Sequence, residues 1–371
     1  MRILIAAGGS GGHIFPAIAL ASAMKKKEAG VSLRFIGSNK ALDRRIFEKE
    51  GLDFSLLSAN KLPYKASWQL LLFFLKLLFD ITKSLFIIVS YRPDTVIGFG
   101  GYVPCPVMVI AYMFRIPIVV HEQNVVPGRA NKLLFRLADK IAISFEDTKR
   151  FLGADIYKAV FTGNPIRREA FYGSSAVTGR VDALKRFGLD AAKFTVFVIG
   201  GSQGAHFLNE AFIKALSKLD GSLRSSLQVI HITGIKDYDW AVGLYKDLGF
   251  EHRVYSFIDR IEEAYGASDL IITRSGASAI FEIAFFGKPM ILVPYPFAMS
   301  HQVENARAFS QKGAAIEIDE KDLSDEVFRK NILGLFNDRS RLDRLAESAK
   351  RLSVPEASDN LADTVLALGK R

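Results

Sequence analysis

The chain has 371 residues, too many for one ordinary hydrophobic core, and its hydrophobic content of 49% excludes a disordered chain. Its single cysteine, Cys105, excludes a disulfide framework and a cysteine-based metal site, which favours a reducing compartment. The net charge of +10 lies entirely in residues 1–165, which contain 22 basic and 12 acidic residues, whereas residues 166–371 contain 27 of each. This excess of positive charge indicates either a solvated surface or a partner that is a nucleic acid, an anionic lipid or a polyphosphate.

Short apolar runs alternate with helical patterns along the chain, which predicts an α/β fold of parallel sheets covered on both faces. The runs predicted as strands are Ile3–Ala7, Leu33–Gly37, Phe54–Ser58, Thr95–Gly98, Ile116–His121, Lys140–Ile143, Ala159–Thr162, Phe194–Ile199, Leu227–Ile232, Arg253–Tyr255, Leu270–Thr273, Met290–Val293 and Ala315–Ile318. Because the first strand begins almost at Met1, we expect no cleavable signal peptide.

The first strand leads into a glycine-rich turn, Gly8–His13, and then into a helical pattern. A strand, a glycine turn and a helix N-terminus form an anion site, because free amides point outward and glycine lets a phosphate approach the backbone. The turn lacks the spacing of the dinucleotide-binding fingerprint. His13 stands at the mouth of the helix, where the local positive potential favours a neutral imidazole that can accept a proton; a helix-capping histidine is the alternative.

Trp68–Val89 is predicted as one long helix, and nearly all of its side chains are apolar. At helical spacing a narrow polar stripe contains Gln69, Lys76, Asp80 and Lys83. These charges count against a membrane-spanning helix. We expect a helix that packs on its own domain and touches a bilayer surface, with Lys61, Lys65 and Arg92 available for anionic headgroups; a fully buried core helix is the alternative.

Two further motifs of the first half follow strands. Gly98–Tyr102 is a second glycine elbow, which lets a ligand approach the backbone or simply makes a tight turn from strand to helix. His121–Asn124 places four polar side chains at a strand end, where His121 and Glu122 offer a base and an acidic orienter; a polar surface loop is the alternative. A linker is predicted at Gly163–Pro165, because the residue before proline disfavours helix.

The second half repeats the glycine turn, since Gly200–His206 follows the apolar run Phe194–Ile199 and precedes a helical pattern. Two such units predict two nucleotide-type domains, and hence an enzyme that holds a phosphorylated donor and an acceptor. A last helix is predicted over Pro355–Leu368, and it could cross back onto the first domain.

Two motifs of the second half offer contacts to a nucleotide sugar. After the fourth strand of this half, Ser275 or Ser278 could cap a helix whose free amides take a phosphate. Glu282 lies on the same helix, where its carboxylate could bind a ribose diol or simply be solvated. His301 and Gln302 begin a helix after the next strand and could bind sugar hydroxyls.

As an ordered set, these motifs resemble those of the MurG family of bacterial peptidoglycan glycosyltransferases, in glycosyltransferase family 28. The motifs that carry the resemblance are Gly8–His13, Gly100–Tyr102, His121–Asn124, Gly163–Arg167, Gly200–Ala205, Phe257–Asp259, Arg274–Ala277 and His301–Gln302. Two departures are visible. Ser10 replaces the usual threonine and keeps its hydroxyl, and Val103–Pro106 is bulkier than the small residues that often follow the second elbow.

The resemblance implies the GT-B fold, with two Rossmann-like, doubly wound parallel-sheet domains facing a cleft. Residues 1–164 would form the acceptor and membrane-side domain, joined by a C-terminal helix over residues 353–371, and residues 165–352 would bind UDP-N-acetylglucosamine (UDP-GlcNAc). The implied reaction is an inverting transfer of GlcNAc to the C4 hydroxyl of the N-acetylmuramic acid (MurNAc) of lipid I. Lipid I is the undecaprenyl-diphosphate-linked MurNAc-peptide, and the products would be lipid II and UDP, for peptidoglycan synthesis.

The resemblance also implies where the enzyme works and what it needs. It would be a peripheral protein at the cytoplasmic face of the bacterial plasma membrane, against its anionic surface and near other cell-wall synthesis proteins. Because the sequence has no carboxylate-rich metal motif and no nucleic-acid motif, we expect no metal ion, no other cofactor and no nucleic-acid partner.

Site residues carry over from the family motif by motif. Ile258 would meet uracil, Glu282 the ribose, and Ser202 with the amides of Ser275 to Ser278, Ala277 among them, the diphosphate. His301 and Gln302 would contact GlcNAc hydroxyls. The first domain would complete the donor site with Ser10, Gly11, Gly12, Asn124 and Arg167. The base that takes the proton of the acceptor hydroxyl would be His13, with Glu122 as its rival.

Other functions remain open at this point. A different GT-B enzyme, such as another lipid glycosyltransferase or a sugar-nucleotide epimerase, would share the fold and donor site and differ in its acceptor. A basic nucleic-acid or membrane-binding module without catalysis would explain the charge, but no nucleic-acid motif is present and the polar motifs follow strand ends.

Overall fold

The computed structural model describes residues 1–59, 68–167, 179–201, 204–296 and 301–370, without the side chains of Gln69 and Ser222. The chain divides into two compact units. Unit 1 contains residues 1–167 and 355–371, and unit 2 contains residues 168–354. The sequence analysis predicts the corresponding boundaries at 164/165 and 352/353.

Unit 1 is built on one parallel sheet. Its strands are β1 (Arg2–Ala6), β2 (Ser32–Ser38), β3 (Phe54–Leu57), β4 (Thr95–Gly98), β5 (Ile118–Glu122), β6 (Lys140–Ile143) and β7 (Ala159–Phe161). They lie in the order β3-β2-β1-β4-β5-β6-β7. All seven strands predicted for the first half are confirmed, because continuous apolar runs are buried on both faces of a parallel sheet.

Five helices of unit 1 connect these strands. They are α1 (Gly11–Lys27), α2 (Ala41–Lys49), α3 (Trp68–Tyr91), α4 (Pro104–Met113) and α5 (Arg129–Leu134). Two 3₁₀ segments, Glu146–Phe151 and Gly153–Lys158, lie between β6 and β7. Helix α1 buries Ile14 and Leu20 against β1 and β4, in a core that covers one face of the sheet.

Unit 2 repeats the arrangement with six parallel strands. They are β8 (Phe194–Ile199), β9 (Leu227–Ile232), β10 (Glu251–Tyr255), β11 (Leu270–Thr273), β12 (Met290–Leu292) and β13 (Ile316–Glu317), in the order β10-β9-β8-β11-β12-β13. Its helices are α6 (Arg180–Phe187), α7 (His206–Ser217), α8 (Gly221–Ser226), α9 (Tyr238–Lys246), α10 (Ile261–Ala267), α11 (Ala277–Phe285), α12 (His301–Ser310), α13 (Asp325–Asn337) and α14 (Arg339–Leu352). The six strands predicted for this half are confirmed.

The C-terminal helix, α15 (Ala357–Gly369), belongs to unit 1. It packs against α1 and buries Leu361 and Val365 in the same core. The Ser358 hydroxyl donates a hydrogen bond of 3.2 Å to the Ile166 carbonyl. The last helix therefore completes the hydrophobic layer of the first sheet.

Helix α3 turns Asp80 and Lys83 of its polar stripe toward the domain and exposes many of its large apolar side chains. The Asp80 carboxylate is buried and accepts hydrogen bonds from the amides of Ser58 (2.8 Å) and Ala59 (2.9 Å), after β3. Lys83 Nζ donates to the Leu56 carbonyl at 2.8 Å. Among the predicted stripe residues, only Lys76 is described as exposed, since the Gln69 side chain lies outside the description.

A continuous apolar surface results, because α3 packs beside α4 and both expose large side chains. We call this surface the apolar face; its members are Trp68, Leu71, Leu72, Phe74, Leu75, Leu78, Phe79, Leu85, Phe86 and Val89 of α3, and Val109, Tyr112 and Met113 of α4. The alternative of a fully buried core helix is therefore wrong. Within the described ranges, no helix is both long enough and apolar enough to span a bilayer.

The strand order of each sheet places the predicted motifs together. In unit 1, β1 pairs with both β2 and β4, so the strand order reverses between β1 and β4. In unit 2 the corresponding reversal lies between β8 and β11. Ligands of open α/β sheets bind at the carboxyl ends of the strands beside such a reversal. The motifs that follow β1, β4 and β5, and those that follow β8, β11 and β12, lie at these two edges.

Candidate active site

His13 lies in the first turn of α1, and one of its ring nitrogens is held by the glycine turn before it. Nδ1 lies 3.2 Å from the Gly8 carbonyl oxygen and 3.3 Å from the Ser10 hydroxyl. Because a carbonyl oxygen only accepts hydrogen bonds, this contact assigns the proton to Nδ1. The lone pair is then on Nε2, where it can accept a proton.

The surroundings of His13 also keep its ring neutral. Burial lowers the pKa of His13 below its ordinary value of 6.5. The Gly8 carbonyl and the charges of Glu122 and Asp43 oppose this shift only in part. A neutral imidazole near pH 7 is the form that a general base requires.

The second glycine elbow packs against the His13 ring. Gly100 and Gly101 both have positive φ, 85° and 73°, a conformation that side chains other than glycine rarely adopt. A Cβ atom at Gly100 would lie 3.4 Å from His13 Nε2, and one at Gly101 would lie 3.4 Å from His13 Cε1. The elbow therefore leaves room beside the basic nitrogen.

Glu122 is buried at the end of β5, and both of its carboxylate oxygens accept hydrogen bonds. Oε1 accepts from the Asn124 amide (2.9 Å) and from Asn124 Nδ2 (3.1 Å). Oε2 accepts from the Gly128 amide (3.1 Å) and from Asn131 Nδ2 (2.7 Å). Both oxygens of this carboxylate are thus already engaged by donors from the same unit. In this position Glu122 orients Asn124.

The other first-domain residues predicted for the donor site lie around the same helix start. Ser10 is the N-cap residue of α1, and Gly11 and Gly12 are the first two residues of the helix. The Arg167 guanidinium lies over the Phe15 ring at 4.4 Å. Its Nε is buried and has no hydrogen-bond partner among the described residues.

In unit 2, the N-terminus of α11 follows β11 and begins at Ala277, with Gly276 as its N-cap. The prediction that Ser275 caps this helix is wrong, because its hydroxyl donates to the Gln302 carbonyl at 2.7 Å. Ser278 does not cap it either, because it is the second residue inside the helix. A cap residue without a side chain leaves the positive helix end open to an anion.

Glu282 lies on α11, half-buried, and accepts a hydrogen bond of 3.1 Å from the Tyr265 hydroxyl. The simple picture of a solvated helix residue is therefore wrong. Ile258 is half-buried in the loop after β10.

His301 and Gln302 begin α12, which the Ser275 hydroxyl ties to the end of β11. Gln302 Oε1 accepts a hydrogen bond of 2.9 Å from the Tyr295 amide, which fixes the side-chain amide beside the loop after β12. The predicted diphosphate contact Ser202 lies outside the described residues.

Several polar residues that support these motifs could not be assigned from the sequence. Arg274 is buried and bridges strand ends, donating to the Val293 carbonyl at 3.1 Å and pairing with Glu320 at 2.5 Å. Asn305 Nδ2 donates to the Ser275 carbonyl at 3.1 Å. Arg274 opens the motif Arg274–Ala277, but the sequence does not state which groups Arg274 and Asn305 contact.

The sequence also does not predict a buried hydrogen-bond network beneath the second glycine turn. His231, within β9, contacts the Tyr245 hydroxyl through Nδ1 (2.9 Å) and Asn209 Oδ1 through Nε2 (3.1 Å). Burial lowers the pKa of His231 from 6.5 to about 3, so the ring is neutral. Asn209 Nδ2 donates to the Thr233 carbonyl at 2.9 Å, and that carbonyl oxygen would lie 2.7 Å from a Cβ atom at Gly204. The network therefore supports the loop against which the glycine turn packs.

Over the ranges that the structure describes, there is no group of three or more histidine, cysteine or acidic residues able to hold a metal ion. Unit 1 by itself offers a neutral histidine base. Unit 2 by itself offers an open helix N-terminus, which suits a phosphorylated ligand.

Comparison with known proteins places these features in context. The glycosyltransferase family 28 N-terminal domain matches residues 3–143, and the glycosyltransferase family 28 C-terminal domain matches residues 195–361. A relative from Halothermothrix orenii is 38% identical over 98% of both chains. A relative from Halalkalibacterium halodurans is 35% identical over 100% of both. Both are named UDP-N-acetylglucosamine–N-acetylmuramyl-(pentapeptide) pyrophosphoryl-undecaprenol N-acetylglucosamine transferase.

Solved structures show the same architecture. MurG from Acinetobacter baumannii matches with a TM-score of 0.76 and 26% identity, over 99% of each chain. A UDP-GlcNAc 2-epimerase from Neisseria meningitidis, bound to UDP-GlcNAc, matches with a TM-score of 0.73 over 99% of this chain, but at 12% identity it shows the fold alone. These matches confirm the predicted GT-B class of two parallel-sheet α/β domains.

Proposed function

This chain belongs to glycosyltransferase family 28, and from that membership we propose that it transfers GlcNAc from UDP-GlcNAc to the MurNAc of lipid I, forming lipid II and UDP. The observation that carries this assignment is the full-length identity to transferases named for that donor and that acceptor. The chain is a hexosyltransferase of peptidoglycan precursor synthesis. The predictions of the family and of the transferase activity are confirmed by these relatives.

We further propose that His13 is the general base. Its Nε2 takes the proton of the MurNAc C4 hydroxyl while the hydroxyl oxygen attacks the anomeric carbon of GlcNAc. The bond from that carbon to the UDP oxygen breaks on the opposite face, so the configuration inverts. Nδ1, already held by the Gly8 carbonyl, stabilises the imidazolium that forms. Glu122 acts through Asn124, because its oxygens are occupied by four donors.

The leaving diphosphate gains negative charge, and the N-terminus of α11 stabilises it in this proposal. The amides from Ser275 to Ser278, including that of Ala277, take the phosphates together with Ser202. Glu282 binds the ribose, the backbone of Ile258 meets the uracil, and His301 and Gln302 contact the GlcNAc hydroxyls. The donor contacts from unit 1 are Ser10, Gly11, Gly12, Asn124 and Arg167.

The proposed contact of Glu282 with the ribose of UDP-GlcNAc can be tested by mutation. Replacing Glu282 by alanine should raise the KM for UDP-GlcNAc about 10- to 100-fold, because hydrogen bonds to a charged group contribute about 1.5–3 kcal/mol each. Titration of UDP-GlcNAc by calorimetry and by initial rates would measure it. Tyr265→Phe removes only the internal partner and should have a smaller effect. Alanine at Glu347, an exposed acid of α14, is the matched control; equal affinities for Glu282→Ala and wild type would remove the ribose role.

We propose that unit 1 carries the acceptor and the membrane contact. The orientation of α3 supports a bilayer contact at the apolar face, because the helix buries Asp80 and exposes large apolar side chains. Exposed basic residues, among them Lys76, Arg92 and Arg115, border it and would meet anionic headgroups. The predicted contacts Lys61 and Lys65 lie outside the described residues. The proposed location is the cytoplasmic face of the plasma membrane, where lipid I and other cell-wall synthesis proteins are reached.

The activity itself is tested by UDP release from UDP-GlcNAc, with and without a lipid I analogue. We expect release that requires the muramyl lipid and a disaccharide-lipid product. Conversion of UDP-GlcNAc without any acceptor would instead identify an epimerase. Donor binding without acceptor-dependent release would point to a different acceptor.

A further inference from the structure

A buried carboxylate reaches the first glycine turn from a neighbouring element. Asp43 lies on α2 and is fully buried. Its Oδ2 accepts hydrogen bonds from the Gly9 amide (2.8 Å), the Ser38 amide (2.8 Å) and the Ser38 hydroxyl (2.6 Å). One oxygen therefore ties the glycine turn after β1 to the end of β2.

The same contact restricts the residue whose carbonyl holds the base. A Cβ atom at Gly8 would lie only 2.5 Å from Asp43 Oδ2 and 2.7 Å from the Ser38 amide nitrogen, so only glycine fits between them. The Gly8 carbonyl then points at His13 Nδ1, 3.2 Å away. The path from Asp43 to His13 thus runs through one backbone turn.

The second carboxylate oxygen of Asp43, Oδ1, is buried and makes no such contact within the described part of the chain. The charge of Asp43, together with that of Glu122 on β5, raises the pKa of His13 against the lowering by burial and by Lys40. His121, buried on β5, is the other titratable group that interacts with His13, and burial lowers its own pKa to about 4.

We propose that Asp43 is a positioning residue for the general base. It fixes the Gly8–Gly9 turn so that the Gly8 carbonyl holds the Nδ1 proton of His13, which leaves the Nε2 lone pair ready to take a proton. This rests on the proposed function, in which His13 is the base. Asp43 itself does not touch substrate.

The test is Asp43→Asn, which keeps the shape of the side chain and removes its charge. With the carboxylate gone, the imidazole should titrate at lower pH and lose its single tautomer, as followed by ¹⁵N NMR of His13 in the free enzyme. We expect kcat to fall about 10- to 100-fold, part of the roughly 10²–10⁴ that general-base catalysis contributes. The acid limb of the kcat/KM profile should move to lower pH, because a base with a lowered pKa stays unprotonated further into acid.

Two further variants serve as controls for Asp43→Asn. Ser38→Ala removes the 2.6 Å hydrogen bond and keeps the charge, so a loss of about two- to five-fold in kcat is expected with little change in the His13 titration. Asp53→Asn, which breaks a surface ion pair with Arg34 in the same unit, should change neither. If Asp43→Asn does not fold, Ser38→Ala decides: an unchanged kcat would overturn the proposal.

The NMR measurement separates this inference from the proposed function. An unchanged titration and tautomer of His13 in Asp43→Asn would overturn the role of Asp43, whatever the activity. A shifted titration in Asp43→Asn, combined with full turnover in a variant that lacks His13, would keep the link between the two residues and remove the base assignment.

Discussion

Replacement of His13 by glutamine should lower kcat about 10²- to 10⁴-fold, the range in which a positioned general base contributes. Glutamine can still donate to the Gly8 carbonyl, which holds Nδ1 at 3.2 Å in the wild type, but it has no basic nitrogen. The KM for UDP-GlcNAc should change only a few-fold, because the residues that we propose for the uridine and the GlcNAc lie in unit 2. Steady-state rates with UDP-GlcNAc and a lipid I analogue measure both quantities.

The pH profile gives the same hypothesis an independent test. His13 must be unprotonated to act, so the wild-type kcat/KM should be retained above its pKa and lost as the pH falls through it. Burial lowers that pKa below 6.5, so the acid limb should lie at lower pH than for an ordinary histidine. His13→Gln should lose this limb. His252→Gln, in which a histidine stacked on Tyr245 in unit 2 is replaced, is the matched control. Full turnover by His13→Gln would return the role to Glu122.

A second large effect is expected at the membrane. Replacing Phe74, Phe79 and Phe86 of α3 together by glutamine should weaken binding to anionic vesicles about 10²- to 10³-fold. These rings are 54%, 61% and 73% exposed, and moving the exposed part of each into lipid is worth about 1 to 1.5 kcal/mol. Co-sedimentation with phosphatidylglycerol vesicles at a fixed ionic strength would give the partition constants.

The control for this triple variant uses exposed apolar residues of unit 2. Glutamine at Val181, Ile235 and Leu244 removes comparable apolar surface and should leave vesicle binding unchanged. The thermal unfolding midpoint should stay near that of the wild type in both triple variants, because none of the six side chains is buried. Unchanged partitioning of the α3 variant would exclude the apolar face as the membrane contact. A decrease of vesicle binding at higher salt would measure how much the basic residues contribute to the binding free energy.

Much of the fold could be predicted because its signals are local. A continuous apolar run between turn residues predicts a buried parallel strand wherever it occurs, and all thirteen predicted strands form. The glycine motifs also predict their own place, because a turn after a parallel strand must lie at its carboxyl end. The family could be identified for the same reason, since its motifs are short and occur in a set order.

Local signals do not state which way an element faces. The composition of α3 predicts a helix and an amphipathic pattern, but the burial of Asp80 depends on the amides of Ser58 and Ala59 after β3. The choice between a core helix and a surface helix therefore belongs to the packing of the whole unit. The same holds for Ser275, whose hydroxyl donates to the Gln302 carbonyl of α12 and does not cap α11.

The element types, the two-sheet class, the family and the motifs that carry the chemistry can all be inferred from the amino-acid order. The partners of each polar side chain are known only from the folded chain. Glu122 is surrounded by donors that include Asn131, and Asp43 holds a glycine turn 34 residues away. The physical reason is that a pKa, a tautomer or a fixed rotamer depends on partners within a few ångströms, and those partners come from segments that only folding brings together.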